Sequence, residues 1–90
     1  MDPSEVEEEV ARIWAETLDL DTVGVDDDFA ELGGTSLLAG RIASRVRERF
    51  RVEISMPVLL EASRVADMAV VVLARLLDSV EPGARDGLLG

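Results

Sequence analysis

Ninety residues carry 19 acidic and 9 basic side chains, with no histidine and no cysteine, for a net charge of −10. That composition excludes disulfides and thiolate zinc sites and removes the imidazole of a Ser/His/Asp triad. Residues 1–35 hold 12 acids against one base, Arg12, a distribution opposed to nucleic-acid binding.

The length predicts one domain, burying about 60–65% of its unfolded surface. Three aromatics (Trp14, Phe29, Phe50) leave most of the core to Leu, Val, Ile and Ala. The acidic N-terminus lacks the apolar stretch of a signal peptide, and the longest apolar run, Met68 to Ala74, is far below a membrane span. Cytoplasm is the expected location.

In chain order, Ser4 and Glu7 have capping-box spacing. Val6, Val10, Ile13, Trp14, Thr17 and Leu18 then follow at helical intervals, predicting a first helix over about residues 4–18. Asp19 to Thr35 is a long first loop. Its apolar residues Val23, Val25, Phe29 and Leu32 predict that it is ordered and pinned to the core. It partly imitates a calcium loop, but Val23 and Ala30 stand where oxygen ligands belong. Asp26-Asp27-Asp28 is read as a solvated turn, because a domain this small leaves little room for a substrate cleft.

Phe29-Ala30-Glu31-Leu32-Gly33-Gly34-Thr35-Ser36-Leu37-Leu38 is the stretch around which the rest is organised. Two glycines free the backbone, and Thr35 and Ser36 stand where a helix N-cap is expected. A hydroxyl there lies among unpaired N–H groups at the positive end of the macrodipole, where a phosphoester is favoured. The second helix is predicted over Ser36 to Phe50, with Leu38, Ala39, Ile42, Ala43, Val46 and Phe50 on its core stripe. Leu37 falls off that stripe, beside Ser36 and toward Gly40, Arg41 and Ser44. Arg49 and Arg51 suit the helix C-terminus; Arg41 and Arg45 are further candidates to meet a partner. Ser55-Met56-Pro57 predicts a short third helix through Glu61. Ser63 is expected to cap a last helix to about Val80, with Val65, Ala69, Val72, Leu73, Leu76 and Val80 facing inward. Glu81 to Gly90 reads as a frayed tail.

Leu32-Gly33-Gly34-Thr35-Ser36-Leu37-Leu38-Ala39 resembles the phosphopantetheine attachment motif of peptidyl carrier proteins, the thiolation domains of nonribosomal peptide synthetases. The likeness extends through Val23 to Phe29 before the motif and through Arg41, Ser44-Arg45 and Phe50-Arg51-Val52 after it. It continues through Pro57 to Leu60 and Val65-Ala66, so that it covers about residues 4–80. One departure is Thr35, where these families commonly have His, Asp or Asn.

The resemblance implies an all-α, four-helix bundle of acyl-carrier type, with a long first loop and a short third helix. It implies a single carrier domain over residues 1–90 with an ordered core over about 4–80 and a flexible tail over 81–90; the initiator Met and the length suit a free-standing carrier, and an excised synthetase domain would look the same. It implies 4'-phosphopantetheine attached to Ser36 by a phosphopantetheinyl transferase. The arm would hold an aminoacyl or peptidyl thioester, loaded by an adenylation enzyme and used by condensation or tailoring enzymes in antibiotic-type peptide biosynthesis. By the same resemblance the chain is a monomeric shuttle, not an enzyme, with no metal, membrane or nucleic-acid partner, and its partners meet Thr35, Leu37, Arg41 and Met56.

Rival chemistries fit the residues less well. Leu38 occupies the second glycine position of a nucleophile elbow, and a P-loop needs a lysine that the chain lacks altogether. An acyl carrier of fatty-acid or polyketide type shares the arm, but acidic residues are usual where this second helix has arginines. A helical adaptor that never takes an arm is the other alternative.

Overall fold

Helix formation begins upstream of the Ser4 signature. In the computed structural model, which describes residues 2–54 and 61–89 and the side chains of the last helix as far as Asp78, α1 spans Pro3–Leu18. Asp2 is the N-cap residue, and the Val6 N–H donates to its carbonyl at 3.1 Å. The expected Ser4–Glu7 capping box is therefore corrected: the Ser4 hydroxyl lies 3.1 Å from Asp2 Oδ2. Pro3 accounts for the shift, since its ring presets a helical φ and it has no N–H to satisfy in the first turn.

The second helix, α2, spans Ser36–Phe50, the limits its pattern predicts. The last helix, here α3, spans Val65–Leu89. It runs past the expected end near Val80 into the segment read as a frayed tail. Pro82 and Gly83 do not stop it, although a helix interior loses about 3 kcal/mol to Pro and about 1 kcal/mol to Gly; of their neighbours, Glu81, Ala84 and Arg85 are helix formers. Ser63 is also not its side-chain cap. The Ser63 carbonyl instead accepts the Phe29 N–H at 2.6 Å, while the Ala66 N–H donates to the Val25 carbonyl at 3.0 Å. The first loop thus satisfies a donor in the opening turn of α3. Most of the expected third helix, Met56 included, lies outside the described residues. Among the described residues there is no strand, only an isolated bridge between Asp28 and Arg64.

Among the described residues, α1 packs against α2 and α3. Val6, Val10, Ile13 and Trp14 from α1 meet Ala39, Ile42, Val46 and Phe50 from α2, and Val65, Met68, Ala69 and Val72 from α3, all buried. Met68 is an addition to the predicted stripe. Its sulfur accepts the Trp14 indole N–H at 3.3 Å, so the one polar atom of that buried ring is satisfied.

Two ion pairs fix the direction of α2 against α1. Glu9 Oε2 meets Arg49 Nε at 2.6 Å, and Glu16 Oε1 meets Arg45 Nη1 at 4.0 Å, so the helices run antiparallel. This corrects Leu38, which the stripe places in the core and which is only half-buried. Seven residues upstream of Arg45, or about 10 Å along the axis, it lies past the end of α1. At the other end Arg51 takes a left-handed conformation, φ 60°, and its N–H donates to the Arg47 carbonyl at 2.8 Å. That closes α2 in the manner usually reserved for glycine.

The first loop is ordered in the way its apolar residues predict, with one correction. Val23 is buried, and Phe29 and Leu32 pack on the core, but the Val25 side chain is 40% exposed. Val25 anchors the loop through its backbone carbonyl instead.

Candidate functional site

The Gly33-Gly34 pair does two different jobs. Gly33 sits at φ 91° with open space around it, so it supplies a backbone conformation that other residues adopt only under strain. Gly34 has an ordinary φ but lies against the Phe29 ring, whose Cε2, Cζ and Cδ2 atoms would overlap any added Cβ. Its N–H donates to the Phe29 carbonyl at 3.0 Å. Phe29 in turn meets Trp14 edge-on, with centroids 5.4 Å apart at 73°. The turn before α2 is therefore clamped to the core through Phe29. The sequence showed two permissive glycines; it did not show that the second is needed for close approach.

The acidic loop residues serve the same turn. Asp27 Oδ2 accepts the Gly24 N–H at 2.8 Å, and Asp28 Oδ2 accepts the Glu31 N–H at 3.2 Å. Such bonds from an aspartate to a nearby N–H stabilise tight turns.

Thr35 is the N-cap of α2. It is extended (φ −128°, ψ 170°), its Oγ1 accepts the Leu38 N–H at 3.2 Å, and its carbonyl accepts the Ala39 N–H at 2.8 Å. Ser36 is consequently the first helical residue and is exposed. No hydrogen bond holds its Oγ among the described residues. A serine capping the helix would have its oxygen engaged by an N–H; here Thr35 does that work, and the Ser36 hydroxyl stays free at the positive end of the helix.

Around it, Leu37 is 68% exposed. Arg41 is exposed one turn further on and forms no ion pair among the described residues, whereas Arg45 and Arg49 are engaged by Glu16 and Glu9. Of the candidate contact residues, the structure brings Thr35, Ser36, Leu37 and Arg41 together at the start of α2. Glu9, away from this site, is held below the ordinary carboxylate value of 4.5 by the Arg12 hydrogen bond first and Arg49 next, against an opposing effect of burial.

Residues 8–72 match the family of the phosphopantetheine attachment site. The chain is 50% identical over 60 residues to a linear gramicidin synthase protein of Brevibacillus parabrevis, covering 67% of this chain and 1% of that protein. Among solved structures it resembles BlmI, a type-II acyl carrier protein from Streptomyces verticillus involved in bleomycin biosynthesis. That likeness has a TM-score of 0.79 and 47% identity, over 82% of this chain and 89% of that one. It also resembles a peptidyl carrier protein solved with the phosphopantetheine transferase Sfp and coenzyme A, with a TM-score of 0.75 and 31% identity over 78% and 91% of the two chains. The fold is thus all-helical and of acyl-carrier type. The chain spans about one-hundredth of the length of the synthetase it matches. It belongs to the phosphopantetheine attachment family, as a carrier of covalent 4'-phosphopantetheine like the peptidyl carrier, or thiolation, domains of nonribosomal peptide synthetases.

Proposed function

We propose that Ser36 is the attachment residue and that the chain is a carrier, not a catalyst, in nonribosomal peptide assembly. One observation carries this reading: the Ser36 Oγ is exposed and uncommitted at the first residue of α2, because Thr35 supplies the cap. The surroundings fit the group. The opening N–H groups of α2 suit a phosphodiester, the space beside Gly33 is open, and Leu37 and Arg41 flank the serine without covering it.

In a transferase site the Ser36 oxygen attacks the β-phosphorus of coenzyme A. A new P–O bond forms, the pyrophosphate bond breaks, and adenosine 3',5'-bisphosphate leaves. The serine proton passes to a base on the transferase, since this chain has no histidine. Once attached, the arm's thiol holds an aminoacyl or peptidyl group as a thioester. The chain's own task is then to present that arm. α2 fixes its root, and Thr35, Leu37, Arg41 and, from the third-helix segment, Met56 meet the transferase, the adenylation enzyme and the condensation or tailoring enzymes in turn. Such contacts are small and weak, because a shuttle must leave each enzyme.

The reading includes a monomeric, single-domain, four-helix carrier whose long first loop is followed by α2 and whose short third helix falls near residues 56–61. Among the described residues no helix is long and apolar enough to cross a membrane, and we place the carrier in the cytoplasm. The test is mass spectrometry after incubation with a broad-specificity transferase and coenzyme A. One phosphopantetheine adds to the parent chain and none to Ser36→Ala, with helicity unchanged. Addition that persists in Ser36→Ala, or moves to Thr35, refutes the assignment. Loading with amino acids against acyl groups then separates peptidyl from acyl cargo.

A further inference from the structure

A groove of about 350 Å³ runs between α1 and the start of the first loop, and none of Ser36, Leu37 or Arg41 lines it. Its floor is apolar: Ala11 and Ala15, one turn apart on α1, with Val23. Leu20 forms one wall and is 38% exposed. That wall is held in place. Asp19 turns left-handed at φ 60°, and both its N–H and that of Leu20 reach the Ala15 carbonyl, the latter at 2.8 Å. This is the pattern in which the residue two beyond a helix end folds back over the last turn.

The rim is acidic. Glu8, Glu16 and Asp21 stand around the groove. Its one cation among the described residues, Arg12, is spent on Glu9 at 2.8 Å and Glu16 at 3.7 Å. Glu16 also meets Arg45 at 4.0 Å, but both of its contacts are through Oε1, so its Oε2 makes no ion pair among the described residues and is the oxygen left for a partner's cation. Glu8 and Asp21 make no ion pair among the described residues. An apolar trough with carboxylates at its edges complements an aliphatic side chain flanked by cations.

We propose that this groove docks a basic polypeptide segment, with a Leu-like side chain over Ala11 and Ala15 and Lys or Arg on either side. The spacing follows from α1. Glu8 and Glu16 are eight residues apart, about 12 Å at 1.5 Å per residue. An extended peptide covers that distance in about four residues at 3.3 Å each, so the cations sit four apart with the aliphatic residue between them. This surface lies apart from the serine, so a segment bound there leaves the start of α2 open to an enzyme. It also requires nothing of the assignment of Ser36.

The test is a titration of the ¹⁵N-labelled full chain with acetyl-Arg-Ala-Leu-Ala-Arg-amide. The controls are the same peptide with Ala for Leu and the same peptide with Glu for both Arg. Amide shifts should gather at residues 8–16 and 19–23, and the Glu peptide should cause none. Replacing the peptide's Leu should weaken binding at least threefold. Leu20→Ser and Glu8→Gln should each do the same in the protein, the second keeping the test open if the first unfolds the domain. Shifts spread over all acidic segments and indifferent to the Leu overturn the proposal in favour of general attraction of cations. Shifts at residues 8–23 that depend on protein concentration alone overturn it in favour of a second copy, and equal displacement by butylamine overturns it in favour of a small-amine pocket.

Discussion

Gly34→Ala is the sharpest probe of how the attachment site is built. The new Cβ meets the edge of the Phe29 ring, which must move. Phe29 has little freedom to do so, because its N–H is bonded to the Ser63 carbonyl at 2.6 Å and its ring lies edge-on to buried Trp14. Losing the aromatic pair costs about 0.5–1.5 kcal/mol. Forcing a methyl into a packed contact costs about 1–3 kcal/mol. The sum, roughly 2–4 kcal/mol, is large against a total of roughly 5–13 kcal/mol for a ninety-residue domain. At about 4–8 °C per kcal/mol, Tm should fall by roughly 8–32 °C.

Gly33→Ala is the control. Its site has room but a positive φ, so the cost is backbone strain of about 1–2 kcal/mol, and Trp14 should be left undisturbed. Fluorescence of Trp14, the sole tryptophan, distinguishes the two: it should change in Gly34→Ala and not in Gly33→Ala. A Phe29→Leu, Gly34→Ala double variant should recover part of the loss, giving a coupling of about 0.5–3 kcal/mol. A Gly34→Ala chain that melts at the parent temperature, with unchanged Trp14 emission, would refute the clamp.

Four further outcomes are expected. Ile42→Ala empties a fully buried position and should cost about 2–5 kcal/mol; an unchanged circular-dichroism melt would show the phase of α2 to be misassigned. Folding depresses the Glu9 carboxyl below its ordinary value, so its ion pairs add stability above about pH 4.5 and lose it as pH falls through the folded value. Glu9→Gln should therefore lower Tm at pH 7 and differ little from the parent near pH 2, as read by melts across that range. Arg51→Gly relieves a left-handed residue and should raise stability by up to about 1 kcal/mol in urea titrations. Leu37→Asp should keep Tm within a few degrees yet slow arm transfer or cargo loading several-fold, with Arg41→Ala milder because an exposed charge acts mainly on encounter rate; unfolding would make Leu37 core, and unchanged kinetics would make it a stray exposed leucine.

Much of α2 was legible because its limits are set by strong local signals. Gly-Gly-Thr stands before it, an apolar stripe runs within it, and arginines gather at its end. The places where reading failed are those decided by neighbours distant in sequence. Leu38 obeys the stripe but runs off the end of α1, a fact visible only once the Glu9–Arg49 and Glu16–Arg45 pairs fix the antiparallel direction. Val25 looks like an anchor by residue type, yet its carbonyl, not its side chain, makes the contact with Ala66. Met68, three residues after Val65, shares the apolar face of Val65, Ala69 and Val72 by its spacing; what the pattern could not show is that its sulfur accepts the Trp14 indole N–H. Ser4 and Ser63 carry good cap signatures that lose to Pro3 and to the first loop.

The sequence left open whether Thr35 or Ser36 caps α2, and that choice bears directly on the chemistry. Were Ser36 the cap, its oxygen would be accepting an N–H, and esterifying it would put a bulky phosphodiester where the helix needs a lone pair. With Thr35 in that position, the helix start keeps its bond to the Leu38 N–H whether or not Ser36 is modified. The first-turn N–H groups that remain unpaired are then available to the new negative charge. Attachment at Ser36, as proposed, would thus add favourable electrostatics without removing a hydrogen bond. Under the proposed attachment at Ser36, the same geometry accounts for how a small domain with no histidine would serve a transferase. It does not activate its nucleophile, but holds an unencumbered hydroxyl on a rigid helix end, fixed to the core through Gly34 and Phe29, for another enzyme's base to reach.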